Sequence, residues 1–406
     1  IASARAAHVA RRAGDFGVVI EGPVRVDMKA VKARKDAIVR VSNEGVEESL
    51  RENPGVTVYV GHARFTGPRQ VQVDAATLEA EQIFINVGAR ADVPPIPGLD
   101  RVQYLTNSSM MAVDFLPEHL VILGGSYIGL EFGQMYRRFG SAVTVIQRGP
   151  QLVPREDEDT ALAIREILEA EGIRVLTEAD ATRVAGRDGK VAVSVKVGAA
   201  TTEVVGSHLL VATGRRPNTD DLGLDRAGIA TDERGYIKVD GQLRTSVPGV
   251  FAMGDCNGRG AFTHTSYNDF EIIAANLFEG EERRVEDRIT TYGLFIDPPL
   301  GRAGMTEKEV RRKGIKALVA KMPMEDVGRA YERSETQGFM KIIVDAGSKQ
   351  LLGAALLGIE GDEIVQGLLD MMYAKAPYTV IQRAMHVHPT VYEMIPYMFE
   401  DLQPLA

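Results

Sequence analysis

Three glycines, Gly124, Gly125 and Gly129, lie in Val121-Ile122-Leu123-Gly124-Gly125-Ser126-Tyr127-Ile128-Gly129-Leu130-Glu131, where an apolar run meets a helical pattern. Backbone N–H groups at such a helix start can hold a pyrophosphate, because they have no intrahelical acceptor and the helix dipole favours an anion. Gly124 permits the turn, and Gly129 lets helix and strand pack closely. Ser126 stands where the G-x-G-x-x-G fingerprint places its second glycine. The run Val143-Thr144-Val145-Ile146 then ends in Gln147-Arg148, with Arg155 shortly after. A carboxylate at that strand end would accept from the ribose hydroxyls of NAD, whereas a neutral residue with nearby arginines suits the extra phosphate of NADP. NADPH is therefore expected in preference to NADH, which stays possible. Three further apolar runs end on glycine, at Gly88, Gly214 and Gly254. Asp255 follows the last, where a carboxylate can accept from ribose-type hydroxyls.

The elements that must position these residues read as α/β. The helical pattern runs through Glu131, Phe132, Met135, Tyr136 and Phe139 to Gly140, and a second apolar run, Ala142 to Ile146, completes a βαβ unit. Before it come a helix over the first 20 residues or so, a long charged helix from Asp27 to Leu50, and short β-like runs at Val56 to Val60 and Gln70 to Val73. Gln82 to Val87 reads as a buried strand, and Asn107 to Ser109 as linker. After the unit come a helix from Asp159 to Glu171, a strand at Ile173 to Leu176, a hairpin at Val191 to Val205, and strands at His208 to Val211 and Val250 to Met253. A charged linker, Glu279 to Asp287, leads into an α+β region with strands at Ala317, Met340 and Leu351 and helices from Glu363 and Tyr378.

A chain of 406 residues with 45% apolar residues suits two or three domains with sizeable cores. The net charge of −9, with no long basic run, argues against nucleic acid as partner. Cys256 is the only cysteine, which excludes an intramolecular disulfide and a cysteine-rich metal site; no metal is expected. No apolar run reaches a membrane-spanning length and no secretory h-region opens the chain, so a soluble, cytoplasmic protein is expected.

In order and spacing, Gly124 to Glu131, Ala212-Thr213-Gly214-Arg215-Arg216-Pro217-Asn218, Ala252-Met253-Gly254-Asp255, Asp297-Pro298-Pro299 with Gly304-Met305-Thr306-Glu307, and His388-Pro389-Thr390-Val391-Tyr392-Glu393 resemble the class I pyridine nucleotide-disulfide oxidoreductases. The resemblance implies two Rossmann-like domains, for FAD and NAD(P), and a C-terminal α+β dimerisation domain. Residues 1–110 and 241–287 would form the FAD domain, 111–240 the NAD(P) domain and 288–406 the dimerisation domain of a homodimer. It places Gly254 and Asp255 at the flavin ribityl and phosphate, Phe262-Thr263-His264 close to the flavin, and Tyr127 and Glu131 near the nicotinamide. His388 and Glu393 would be the catalytic dyad, acting across the dimer on a thiol proton, with the carboxylate fixing the imidazole tautomer.

Two family features are absent from the sequence: the first G-x-G-x-x-G unit, for the FAD adenosine, and the Cys-x4-Cys redox pair. The FAD domain is therefore expected to be incomplete at its N-terminus, with apolar surface uncovered. The leading expectation is hydride transfer from NADPH to FAD and on to a dithiol–disulfide acceptor whose cysteines lie outside the sequence. The alternative is a truncated or engineered homodimer that keeps nucleotide-binding and interface domains without activity. The lack of a C-terminal cysteine pair counts against mercury reduction, and Gln147-Arg148 against an NAD-dependent dihydrolipoamide dehydrogenase. The last helix carries two apolar stripes, Val391, Met394, Ile395, Met398 and Leu402 on one and Tyr392, Pro396 and Phe399 on the other, of which the second suits a twofold contact.

Overall fold

The computed structural model describes residues 1–405, which form two compact units. The first comprises Ile1–Lys32, Val93–Thr213 and the chain from Ile289 on; the second comprises Ala33–Asp92 and Gly214–Arg288. No helix among the described residues is long and apolar enough to cross a membrane.

In the first unit, a four-stranded parallel sheet runs in the order His208–Val211, His119–Leu123, Ala142–Ile146, Arg174–Leu176. The two middle strands are almost wholly buried, as their unbroken apolar runs require of a sheet covered on both faces. The helix Tyr127–Phe139 crosses between them and ends at Gly140, and Glu158–Ala170 makes the next crossover. A meander of Ala179–Arg187, Lys190–Val197 and Ala200–Gly206 follows. The C-terminal part is a six-stranded antiparallel sheet in the order Thr291–Leu294, Leu300–Gly304, Leu351–Leu357, Phe339–Asp345, Ala317–Pro323, Gln403–Pro404. Helix Gly361–Tyr373 packs so closely on it that a Cβ at Gly301 would fall 2.0 Å from the Gly361 carbonyl oxygen.

The second unit holds the antiparallel meander Ala63–Gly67, Gln70–Val73 and Ala76–Glu79. It also holds two short pairs, Ile83–Ile85 parallel to Val250–Ala252, and Ala89–Ala91 antiparallel to Arg215–Pro217.

Several expectations need correction. The opening helix stops at Arg11; a 3-10 turn over Ala13–Phe16 follows and ends at Gly17, whose φ of 72° closes it. Val56 to Val60 forms no strand: its β-branched residues find no sheet neighbour, and Val60 is 74% exposed. Gln82 to Val87 is not a buried strand, since only Ile83–Ile85 pairs and Phe84 is 44% exposed. Asn107 begins a helical turn capped by Thr106, not a linker. The expected hairpin is a three-stranded meander. The strands Thr291–Leu294 and Leu300–Gly304 went unseen because glycines interrupt their alternation. The last helix is a single turn, Ile395–Met398, after a 3-10 turn at Tyr392–Met394. Phe399 is buried against Tyr378, with ring centroids 4.7 Å apart, so the chain itself covers much of the second stripe.

Candidate functional site

The glycine turn is built by collision. A Cβ at Gly124 would sit 2.2 Å from the Ala212 carbonyl oxygen, and one at Gly129 would sit 2.1 Å from the Gly124 carbonyl oxygen. Only hydrogen fits at either position, and the helix start is thereby drawn tight against the sheet. Ser126 is the extended N-cap residue of the 13-residue helix and makes no capping bond with its side chain. N–H groups in the first turn of a helix have no acceptor within the helix, and the residues of this turn fit a pyrophosphate.

At the end of the strand Ala142–Ile146, the Gln147 side chain turns back, and its Oε1 accepts from the Gly125 N–H at 2.9 Å. The position that would carry a ribose-binding carboxylate is occupied by an amide already committed to holding the turn. Arg148 and Arg155 are both exposed, and neither has an ion-pair partner among the described residues. Tyr127 and Glu131, one helical turn apart, both face inward. The Glu131 carboxylate accepts from the Phe295 N–H at 3.0 Å. Burial raises its pKa above the ordinary value, and that hydrogen bond only partly offsets the effect. A cavity of about 230 Å³ opens beside it, lined also by Arg5, Gln134, Arg138 and Asp297.

In the second unit, Gly88, Gly214 and Gly254 each follow or join a short paired strand, as the sequence implies. Gly254 has a φ of 69°, and a Cβ there would meet Asn86 Oδ1 at 2.6 Å and Ser266 Oγ at 2.7 Å. The fully buried Asp269 holds this turn, accepting from the Gly254 N–H at 2.8 Å and from Asn257 Nδ2 at 2.9 Å, with Arg288 as its counter-ion. Asp255 is half-buried and receives Arg215 Nη2 at 3.1 Å; the same Arg215 nitrogen donates to the Ala89 carbonyl at 2.6 Å. The glycine-lined turn and its carboxylate fit a sugar-phosphate. Phe262 and His264 stack at 5.3 Å with rings 10° from parallel, flanking the exposed Thr263. Cys256 is fully buried, and burial pushes its thiol up to about 11, which leaves it unreactive at neutral pH.

His388 and Glu393 meet in the first unit. Nδ1 of His388 lies 3.1 and 3.0 Å from the two Glu393 carboxylate oxygens, which fixes Nδ1 as the protonated nitrogen. Glu393 Oε1 also accepts from the Thr390 N–H at 3.3 Å, and the Thr390 hydroxyl donates to the Val387 carbonyl at 2.8 Å. The imidazole is 82% exposed while its carboxylate is only 18% exposed, so Nε2 is turned outward from a held base.

Sequence reasoning missed Gln147 as a turn anchor, Asp269 and Arg215 behind Gly254 and Asp255, and a buried polar network around Glu156, Tyr292 and Lys341. Their partners lie many residues away, with no local spacing to betray them. One carboxylate cluster among the described residues, Asp157, Asp159 and Glu307, has metal-like spacing. The Lys341 ammonium already fills its centre, at 3.1, 2.7 and 2.8 Å from the three.

Comparison with known proteins gives two family matches. Residues 2–269 match the pyridine nucleotide-disulphide oxidoreductase family and residues 290–399 its dimerisation domain. The probable pyridine nucleotide-disulfide oxidoreductase RclA of Escherichia coli is 34% identical over 372 residues, covering 90% of this chain and 83% of that protein. Dihydrolipoyl dehydrogenase of Thermus scotoductus is 31% identical over 411 residues, covering 100% of this chain and 87% of that protein. The solved structure of the HOCl-induced flavoprotein disulfide reductase RclA from Escherichia coli aligns with a TM-score of 0.87 at 34% identity, covering 93% of this chain and 86% of that one.

Proposed function

This chain belongs to the pyridine nucleotide-disulfide oxidoreductases, homodimer-forming flavoenzymes that carry reducing equivalents from NAD(P)H through FAD to a disulfide, and we propose that its nucleotide is NADPH. Membership favours the oxidoreductase over the nucleotide-binding dimer without activity. The observation that carries the choice of NADPH is Gln147. Its amide is spent on Gly125, no carboxylate stands at the strand end, and two exposed arginines, Arg148 and Arg155, are left to meet a phosphate.

In this reading the N–H groups of Ser126, Tyr127 and Ile128 hold the pyrophosphate, with Gly124, Gly125 and Gly129 clearing its path. Tyr127 and Glu131 border the nicotinamide. Gly88, Gly214, Gly254 and Asp255 hold the ribityl-phosphate side of FAD, and Phe262, Thr263 and His264 flank the flavin. Bound FAD supplies a two-electron relay between nicotinamide and thiol. His388 holds and returns the thiol proton at Nε2, and Glu393 keeps Nδ1 protonated and stabilises the imidazolium while the proton is held. The FAD domain is drawn from residues 1–110 and 241–287, the NAD(P) domain from 111–240, and the dimerisation domain from 288–406. Through that last domain the dyad serves the partner subunit, and a dithiol–disulfide is the acceptor.

The test is kcat/KM for NADPH and NADH in the purified holoenzyme and in the double variant Arg148→Ser/Arg155→Ser. NADPH should be preferred by the parent, and the preference should fall at least tenfold in the variant with NADH turnover unchanged. A parent that prefers NADH contradicts the proposal.

A further inference from the structure

The helix Tyr127–Phe139 carries Glu131, Gln134 and Arg138 at the i, i+3 and i+7 spacing that puts side chains on one side of a helix. All three bond one short segment, Phe295 to Asp297, between the strands Thr291–Leu294 and Leu300–Gly304. Glu131 Oε1 accepts from the Phe295 N–H at 3.0 Å. Two residues on, the buried Gln134 takes both backbone groups of Asp297: its Oε1 accepts from the N–H at 2.7 Å and its Nε2 donates to the carbonyl at 2.8 Å. Nε2 also donates to Glu171 Oε1 at 2.9 Å, so both amide protons are committed. Arg138 Nη2 reaches the Asp297 carbonyl at 3.1 Å, and the Asp297 carboxylate is paired with Arg138 and Arg5.

We propose that Gln134 is a positioning residue that clamps the Asp297 peptide to the nucleotide helix, holds the Phe295 N–H on Glu131, and so fixes the Glu131 carboxylate where the nicotinamide approaches. The inference rests on the assignment of Glu131 to the nicotinamide end of the site. The two contacts set a register. Glu131 with Phe295 and Gln134 with Asp297 step together along helix and segment, so the segment cannot slide past Glu131 without breaking the Gln134 bonds. An amide suits the task because it offers an acceptor and two donors without charge. A carboxylate in its place would face Glu171, and an apolar side chain would leave the Asp297 N–H without its acceptor. A carboxylate that drifts lets the ring settle out of line, and small misplacements of reacting groups are costly to rate. Hydride transfer therefore suffers more than binding, since the pyrophosphate is held at the glycine turn.

The test is a double-mutant cycle on Gln134→Met and Glu131→Ala in the holoenzyme. The stopped-flow rate of flavin reduction is read at saturating NADPH, Kd is titrated for 2′-phospho-ADP-ribose, which lacks the nicotinamide, and thermal unfolding verifies that each variant is folded. Gln134→Met should slow flavin reduction about three- to tenfold, the range one net hydrogen bond is worth, with Kd for 2′-phospho-ADP-ribose within about twofold of the parent. Glu131→Ala should slow reduction at least as much, and adding Gln134→Met to it should change the rate by less than about twofold, because the clamp acts through Glu131. If Gln134→Met does not fold, Gln134→Asn keeps the amide one methylene too short to span the peptide and should show the same losses. Flavin reduction at the parent rate in the folded Gln134 variant, an equal loss of 2′-phospho-ADP-ribose binding, or losses that multiply in the double variant would overturn the clamp while leaving the nucleotide site standing. Flavin reduction at the parent rate in Glu131→Ala would overturn the placement of Glu131 at the nicotinamide and the clamp with it.

Discussion

Replacing Lys341 by methionine removes the cation that three carboxylates share. Lys341 is 2% exposed, and its Nζ lies 3.1 Å from Asp157, 2.7 Å from Asp159 and 2.8 Å from Glu307. Methionine fills nearly the same volume, so the change is mainly one of charge. Breaking a buried pair by deleting one partner costs about 3–5 kcal/mol. Here the loss is cushioned. Asp159 is 36% exposed and keeps Lys321 at 3.0 Å; Glu307 keeps Arg311 at 2.8 Å; and Asp157 keeps the N–H groups of Glu307 and Lys308 at 3.1 and 3.2 Å. The low end, about 3 kcal/mol at pH 7, is therefore expected.

The pH dependence supplies a sign that simple misfolding would not. Burial alone would raise the carboxyls of Asp157 and Asp159, but Lys341, with other hydrogen-bond donors, outweighs it and leaves both below their ordinary 3.8. A depressed carboxyl contributes stability that is present above 3.8 and lost as pH falls through the folded value. Burial likewise opposes the Lys341 charge, yet Asp159, Glu307 and Asp157 bring its pKa above 10.5, so its share is full below that value. Urea unfolding followed by far-ultraviolet circular dichroism should show the variant's deficit largest near pH 7 and shrinking below about pH 4. Because the carboxylate oxygens lie within 4.8 Å of one another, added Ca²⁺ should restore part of the loss. A deficit that grows on acidification, or one under about 1 kcal/mol at pH 7, would refute the reasoning.

Other outcomes follow from the site. Gly129→Ala puts a methyl 2.1 Å from the Gly124 carbonyl oxygen, which cannot move aside cheaply; about 1–3 kcal/mol of stability and most NADPH binding should be lost, as read by thermal unfolding and nucleotide titration. Cys256 should resist a thiol reagent at pH 8 until the protein is unfolded, and Cys256→Ser should leave turnover within about twofold, since its thiol is fully buried and shifted to about 11. Glu393→Gln removes the carboxylate that holds His388 Nδ1, so disulfide reduction should fall about 10²-fold or more while NADPH still reduces the flavin at the parent rate in a stopped-flow trace.

The parts of this molecule legible in its sequence are those whose reasons are local. Gly124 and Gly129 are demanded by the carbonyls beside them, and the unbroken apolar runs of His119–Leu123 and Ala142–Ile146 announce strands covered on both faces. The contact between His388 and Glu393 was legible through the motif that carries the family resemblance, in which the two stand five residues apart. What stayed hidden depends on distant partners. Tyr292 and Glu156 are 136 residues apart, and Lys341 and Asp157 are 184 apart, so no periodicity could pair them. Gln147 read as a neutral residue at a strand end, but only the folded turn shows its amide spent on Gly125. Val56 to Val60 misled in the opposite sense, since β-branched composition makes a strand only where a neighbouring strand offers a ladder.

The central claim is that nucleotide held at Gly124 to Glu131 feeds a flavin, and anaerobic addition of NADPH to the purified holoenzyme tests it most directly. Visible flavin absorption bands should bleach on stoichiometric NADPH and return when a disulfide acceptor is added. Flavin bands that remain unchanged after NADPH would contradict it.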